Sequence, residues 1–393
     1  MSQPFDVIVV GGGMVGSCAA LSLSRQGYRV ALVESSAISD HVIASQTAYH
    51  SRVSAISPTS QQFLSQLGIW QTVDAKGVCY YEKMVIWHQP GNARVTFDSV
   101  ELARQSLGAI VENQQIQQAL HDACENEPTI EWFCPDQIDT LLENSEHQIR
   151  LRLQSKAELS ASLLIAADGR GSPTRQLAGL DTIGGDYWQT AIVANVDTEY
   201  PHQHIAWQRF LNTSVLALLP LANGQSSIVW SCDNDFARQI MMADEAEFCR
   251  VLSQSFEYQL GDIRSVGPRQ SFRLTWHACE QWLKQRTLLI GDAAHGVHPL
   301  AGQGVNLGFS DVELLTQSIR SGESIWNRKR LRCFERQRKS ETALATHAFS
   351  ALKFIYGVDN CPVNQLRDLG MRLLQASPVA KRTLVKRALR NMA

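Results

Sequence analysis

Apolar residues recur along this chain with two different periods. Phe5 to Val10 (FDVIVV) is an almost unbroken apolar run, the pattern of a strand buried on both faces of a parallel sheet. Small and apolar residues at helical spacing follow from Ser17 to Arg25. A second strand-like run, Tyr28 to Glu34, completes a β-α-β unit. Arg52 to Ile56 reads as extended and Ser60 to Leu67 as helix. Met84 to His88 and Arg94 to Phe97 read as short strands around a Pro90-Gly91 turn, and Glu112 to Asn126 as helix. Leu163 to Ala167 and Thr287 to Ile290 return to the buried-strand pattern.

The period changes between Trp188 and Arg273. Short strands dominate there (AIVANV, IAWQRF, VLALLP, SSIVWS), with one helix near Ala243 to Phe256, which predicts a mostly antiparallel sheet. A helix is expected over Val305 to Arg320, and the remainder to Ala393 is mostly helical.

Composition narrows the class. The 44% apolar content is that of a globular protein. No run reaches the roughly 20 apolar residues a membrane span needs. Pro4, Asp6 and the glycines after Val10 do not make a secretory signal, so a cytoplasmic location is expected. Nine cysteines form no C-x-x-C pair, which favours buried free thiols over disulfides or a metal site. Residues 325–393 carry 15 Lys and Arg against 4 Asp and Glu, a net of +11, and the rest of the chain carries −13. No nucleic-acid-binding module accompanies that basic segment.

Two glycine-rich motifs carry the chemistry. Gly11, Gly13 and Gly16, in Gly11-Gly12-Gly13-Met14-Val15-Gly16, fit G-x-G-x-x-G between the first strand and its helix. Such a turn lets the backbone approach a pyrophosphate at a helix N-terminus, with Met14 and Val15 inside it. Glu34 ends the second strand, where a carboxylate accepts hydrogen bonds from ribose hydroxyls. The second motif spans 288–311 (LLIGDAAHGVHPLAGQGVNLGFSD). Its strand delivers Asp292, an acceptor for a ribityl hydroxyl. Gly302, Gln303, Gly304, Val305 and Asn306 stand at a helix start, whose N–H groups favour negative charge on a reduced flavin. Pro299 fixes the turn between them. This second motif selects FAD over a nicotinamide as the resident dinucleotide.

With Asp168-Gly169 and Arg175 in ADGRGSPTR, the sequence resembles the class A flavoprotein aromatic hydroxylases over residues 5 to 340. GGGMVG, RVSAIS at 52–57, the VEN of 111–113 and GDAAHGVHPLAGQGVNLG make it most similar to the ubiquinone-biosynthesis hydroxylases. The resemblance implies an α/β fold of the p-hydroxybenzoate-hydroxylase type. A Rossmann-like FAD-binding domain (1–75, 98–182 and 277–330) would be interleaved with a β-sheet substrate domain (76–97 and 183–276) and followed by a helical basic region (331–393). It places Arg52, Asn113 and Asp168 among the FAD contacts, with a surface arginine and a helix cap as the plain alternatives for the first two. It implies that NADH or NADPH reduces FAD and that a flavin C4a-hydroperoxide transfers oxygen from O₂ to an aromatic ring.

The implied substrate is a polyprenylated phenol or quinol. The AWQRF and ALRNMA stretches favour 2-octaprenyl-3-methyl-6-methoxy-1,4-benzoquinol. A 2-octaprenylphenol or 6-methoxyphenol step of the same pathway, or an inactive FAD-binding scaffold, are the alternatives. His295, His298 and Pro299 are the candidates for a catalytic part, with packed structural histidines as the plain alternative. Leu216, Leu218, Leu219, Trp230 and Phe272 are candidates either for the lining of an apolar tunnel or for simple core. The basic stretch Val379 to Arg390 is expected to be a solvated helix, a contact with an acidic partner of a biosynthetic complex, or a peripheral contact at the inner face of the plasma membrane.

Overall fold

A computed structural model describes residues 4–37, 51–89, 91, 93–296, 304–319, 321–357 and 361–390, with backbone alone for 345–357, 361 and 386–390. Among these residues the strands form sheets of eight, nine and three strands.

The eight-stranded sheet grows from the apolar run at the start. β1 (Phe5–Val10) lies between β2 (Val30–Val33) and β11 (Glu158–Ala166), parallel to both. β8 (Ile130–Phe133) extends the sheet beyond β2. β19 (Thr287–Leu289) and β18 (Leu283–Lys284) extend it beyond β11. Both faces of β1 are covered, which explains its lack of alternation. Val7 and Val9 pack with Cys18, Leu21 and other residues of α1 (Met14–Ser24). Ile8 and Val10 pack with the hairpin of β9 (Ile138–Asn144) and β10 (Ile149–Leu153).

In the nine-stranded sheet, β5 (Lys83–His88) and β6 (Arg94–Asp98) join β12 (Thr182–Thr198), β13 (Ile205–Phe210), β14 (Val215–Pro220), β15 (Ser226–Asp233), β16 (Ile263–Val266), β17 (Gln270–Cys279) and β20 (His295–Gly296). Its pairs are antiparallel except β5 with β13. The period of two sorts its residues. Leu216, Leu218 and Trp230 pack under α6 (Asn234–Met242) and α7 (Glu245–Ser255), with Ile240, Phe248 and Leu252. Ala206, Leu219 and Val229 face the other way. They meet Ala55 and Ile110 of the small sheet formed by β3 (Val53–Ile56), β4 (Cys79–Tyr81) and β7 (Gly108–Glu112).

The helices α2 (Pro58–Gln66), α3 (Ile69–Ala75) and α4 (Asn113–Glu125) cover the first sheet with α1. Ser57 starts α2 by accepting a hydrogen bond from Ser60 N at 3.2 Å, with Pro58 just inside. After the short α5 (Pro173–Leu177), α8 (Gly304–Ser318) lies against α1, and α9 (Arg328–Gly357) against α8. α10 (Cys361–Ala376) and α11 (Pro378–Arg390) return to the nine-stranded sheet, where Met371 and Leu374 pack on Ala93, Val95 and Phe97.

Some expectations change. The helix expected near Ala243 to Phe256 is α7, and an additional helix, α6, precedes it, separated from it by the extended Ala243 (φ −63°, ψ 148°). Leu216, Leu218 and Trp230 are core beneath α6 and α7, whereas Leu219 lies on the opposite face. The expected boundary at 276 falls inside β17, and residues 295–296 pair with that strand. The solvated-helix expectation fails at Lys381, which is 2% exposed and paired to Glu101 at 2.5 Å.

Candidate active site

Three turns far apart in sequence become neighbours because β1, β11 and β19 run in the same direction. Their C-terminal ends share one sheet edge, where ligands of open α/β sheets bind. Ala167 N donates to Val10 O at 2.8 Å, and Ile290 N to Ala166 O at 3.0 Å. Gly11, Asp168-Gly169 and Gly291-Asp292 therefore emerge side by side.

The first turn is made for close approach. Gly11 has φ +104°, and a Cβ on Gly16 would lie 1.8 Å from Gly11 O. Gly13 caps α1 without a side chain, and a Cβ there would meet nothing within 4 Å. No acidic residue stands in the first turn of α1, formed by Met14, Val15 and Gly16. That uncapped N-terminus fits a pyrophosphate. Glu34 stands over the turn, Oε2 accepting from Gly12 N at 2.6 Å and Oε1 from Ser36 N at 2.8 Å. From behind, fully buried His121 donates from Nε2 to Gly12 O at 2.6 Å, and Ser17 Oγ donates to the same oxygen at 2.9 Å.

Asp168 orders the second turn, accepting from Thr174 N at 2.9 Å and from the Ser172 hydroxyl. Arg175 joins it to the third turn, donating to Ala293 O and to Arg170 O, both at 2.9 Å. His277 adds a second tie, Nε2 donating to Asp292 O at 2.8 Å. Burial pushes the His277 pKa down, so the ring is neutral with its proton on Nε2. The Asp292 side chain stays exposed at the strand end.

α8 begins at Gly304 and crosses α1 closely: a Cβ on Gly308 would lie 2.4 Å from Val15 Cγ2. Val305 packs against the core. Asn306 is fully buried, Oδ1 accepting from Ser57 N at 2.9 Å and Nδ2 donating to Ala55 O at 2.8 Å. Its side chain thus pins the start of α8 to the end of β3. Arg52 precedes β3, and its carbonyl accepts from Asn113 N at 3.1 Å. Asn113 Oδ1 accepts from Ser54 Oγ at 2.7 Å. These two residues are adjacent, and Asn113 is the first residue of α4 rather than its cap.

His295 is 3% exposed, stacked on Trp282 with ring centroids 5.0 Å apart. Its Nε2 lies 2.8 Å from Asp311 Oδ2, which also accepts from Gly291 N at 2.8 Å. Asp311 Oδ1 accepts from Arg338 Nε at 2.7 Å, and Arg338 also pairs with Glu341 at 2.6 Å. Burial alone would raise the Asp311 pKa, but His295 and Arg338 hold it below the ordinary carboxylate value. This network binds α9, α8 and the third turn together. His298, Pro299, Gly302 and Gln303 lie outside the described residues.

Sequence reasoning missed His121, His277, Asp311 and Arg338. Asp311 closes the 288–311 motif, so its place there was the available signal. The other three are single polar residues on apolar faces, and they act through partners distant in sequence.

Residues 4–339 match the family described as FAD binding domain. The chain is 32% identical to the 3-demethoxyubiquinol 3-hydroxylase of Escherichia coli (strain K12), covering 99% of both proteins. It is 30% identical to the ubiquinone hydroxylase UbiL of Rhodospirillum rubrum, covering 98% of this chain and 89% of that one. The fold is that of p-nitrophenol 4-monooxygenase PnpA from Pseudomonas putida DLL-E4, with TM-score 0.79, 20% identity, and coverage of 100% and 99%.

Proposed function

The chain belongs to the FAD-binding-domain family, in its ubiquinone-biosynthesis hydroxylase branch, and on that premise we propose that it hydroxylates the ring of a polyprenylated phenol or quinol, with 2-octaprenyl-3-methyl-6-methoxy-1,4-benzoquinol as its substrate. The observation that carries a flavin enzyme is the meeting of three turns at one sheet edge. What supports this ring is the similarity to the Escherichia coli 3-demethoxyubiquinol 3-hydroxylase.

Bound FAD, reduced by NADH or NADPH, supplies the activation of O₂. The chain supplies binding and placement. The N-terminus of α1 holds the pyrophosphate and Glu34 accepts from the ribose. Asp292 accepts from the ribityl chain, and the start of α8 favours negative charge on the reduced ring. Arg52, Asn113 and Asp168 complete the cofactor contacts. The sheet face carrying Ala206, Leu219 and Val229 supports the substrate. A phenol or quinol ring is electron-rich, so the reaction needs no protein nucleophile. A polyprenyl substrate resides in lipid, and contact of the enzyme with a membrane surface follows. Among the described residues no helix is long and apolar enough to cross one.

The test is turnover of the flavin-loaded protein with NADH or NADPH, isotopically labelled O₂ and each prenylated intermediate. The expected result is one labelled oxygen in the 3-methyl-6-methoxy benzoquinol. Oxidation of the nicotinamide with hydrogen peroxide as the sole oxygen product would refute the reading. Labelling of a different intermediate would reassign the ring position.

A further inference from the structure

α10 has two apolar faces and only one is used. Inward, Met371 and Leu374 pack on Ala93, Val95 and Phe97, and Asp368 accepts from Ala93 N at 3.3 Å and pairs with His88 at 2.9 Å. Outward, Leu366, Leu369 and Leu373 are 69%, 56% and 61% exposed. Their spacing puts them in one stripe along the helix. In α11, Val379 and Leu384 are also exposed, at 74% and 49%. Scattered exposed leucines need no explanation, but a stripe over about two turns, continued by exposed apolar residues on the next helix, does.

The exposed charge on the two helices is of one sign, and the acid beside them, Glu101, is paired with Lys381. Residues 361–390 contain seven Lys and Arg and a single acid, Asp368, which is engaged by the sheet. Arg372 and Arg382 are exposed. The inward face also leads somewhere. The cluster under α10 includes Met84, Ile86 and Leu107, and Met84 and Leu107 belong as well to the cluster holding Ala206 and Leu219. An apolar layer thus runs from beneath α10 to the sheet face assigned above to the substrate.

We propose that the outward face of α10, with the exposed flank of α11, seats the protein on an anionic lipid surface. The leucines enter the interfacial layer and the arginines face the headgroups. The partner is a bilayer rather than an acidic protein, because the apolar stripe lies outward and the neighbouring exposed charges are basic. Through Met84 and Leu107 the same element borders the substrate face, so an apolar tail leaves lipid beside the site that uses it. This last step rests on the proposed function; the surface itself does not.

The experiment is flotation of the full-length, flavin-loaded chain with vesicles of phosphatidylcholine alone, or mixed equally with phosphatidylglycerol. The wild type is expected to float with the mixed vesicles, less so at high salt, and to stay in solution with phosphatidylcholine. The triple variant Leu366→Ser, Leu369→Ser, Leu373→Ser should partition about tenfold or more weakly. Arg372→Glu with Arg382→Glu should lose the preference for the anionic vesicles. A control, Met242→Ser, removes an exposed apolar group elsewhere and should float like the wild type. Unchanged flavin absorbance and unfolding temperature establish that the variants are folded. Equal flotation of triple variant and wild type, or no flotation of the wild type, would overturn the proposal. So would a dimer in sedimentation that the leucine substitutions abolish, since the stripe would then be a protein contact. Flotation is read without turnover, so a chain that floats yet hydroxylates no ring sinks the function and leaves the surface standing.

Discussion

Substituting Asp311 by Asn or by Ala separates charge from shape at the centre of the site. Asp311→Asn keeps a group beside Gly291 N but removes the charge facing His295 and Arg338. Asp311→Ala removes both and leaves the Arg338 guanidinium with Glu341 as its ion-pair partner. Losing one member of a buried pair costs on the order of 3 kcal/mol, so Asp311→Ala should lower the unfolding free energy by about that much in urea titration. Asp311→Asn should lower it less. Both should weaken FAD binding, read by flavin fluorescence, because Gly291 sits in the third turn. An unfolding free energy unchanged in Asp311→Ala would mean that the network is not a support.

At the scale of the element, the period of two in β14 separates stability from substrate contact. Leu216 is fully buried beneath α6 and α7, so Leu216→Ala should cost about 2–5 kcal/mol and leave the KM of the folded fraction unchanged. Leu219→Ala lies on the other face, buried against the small sheet on the side of the proposed substrate, and should cost a similar amount of stability and in addition raise KM. Equal effects of the two on KM would refute the assignment of faces. Reading the chain alone found β1, α1, β2, β5, β6, α4, β11, β19 and the turns that follow the parallel strands, since continuous apolar runs and glycines are local signals. It did not find β8 or β9, whose residues are largely half-exposed and alternate weakly, nor β10, whose five residues alternate apolar and basic over too short a run to stand out. It grouped Leu216, Leu218, Leu219 and Trp230 because apolar character does not reveal which face of a sheet will be covered by helices. It found Gly11 and Asp292 but not His121 or His277, because a clamp on a carbonyl oxygen has no signature of spacing.

For the whole molecule, two buried histidines set the response to acid. Burial pushes the pKa values of His277 and His202 below the ordinary 6.5. Above 6.5 neither state binds the proton and these groups are silent. As pH falls below 6.5 the unfolded chain takes up protons that the folded chain refuses, so stability falls, at up to about 1.4 kcal/mol per pH unit for each group. Unfolding temperature should therefore decline from about pH 7 toward pH 5, and His277→Gln, which keeps a donor for Asp292 O, should flatten the decline without abolishing it. A parallel decline in the variant would show that His277 does not contribute.

The strand order β18-β19-β11-β1-β2-β8 also has a consequence in time. A ribosome makes β1 first, yet one of its two neighbours, β11, ends at Ala166, and the next strand in the sheet, β19, ends at Leu289. Emerging chains fold as their partners arrive. The glycine turn after β1 is thus synthesised well before the turns that surround it. A nascent chain lacks the second and third turns of the flavin site until β11 and β19 have been made. Its early apolar strands are without their neighbours during that interval, and the three turns can act on one cofactor only once β19 has joined the sheet.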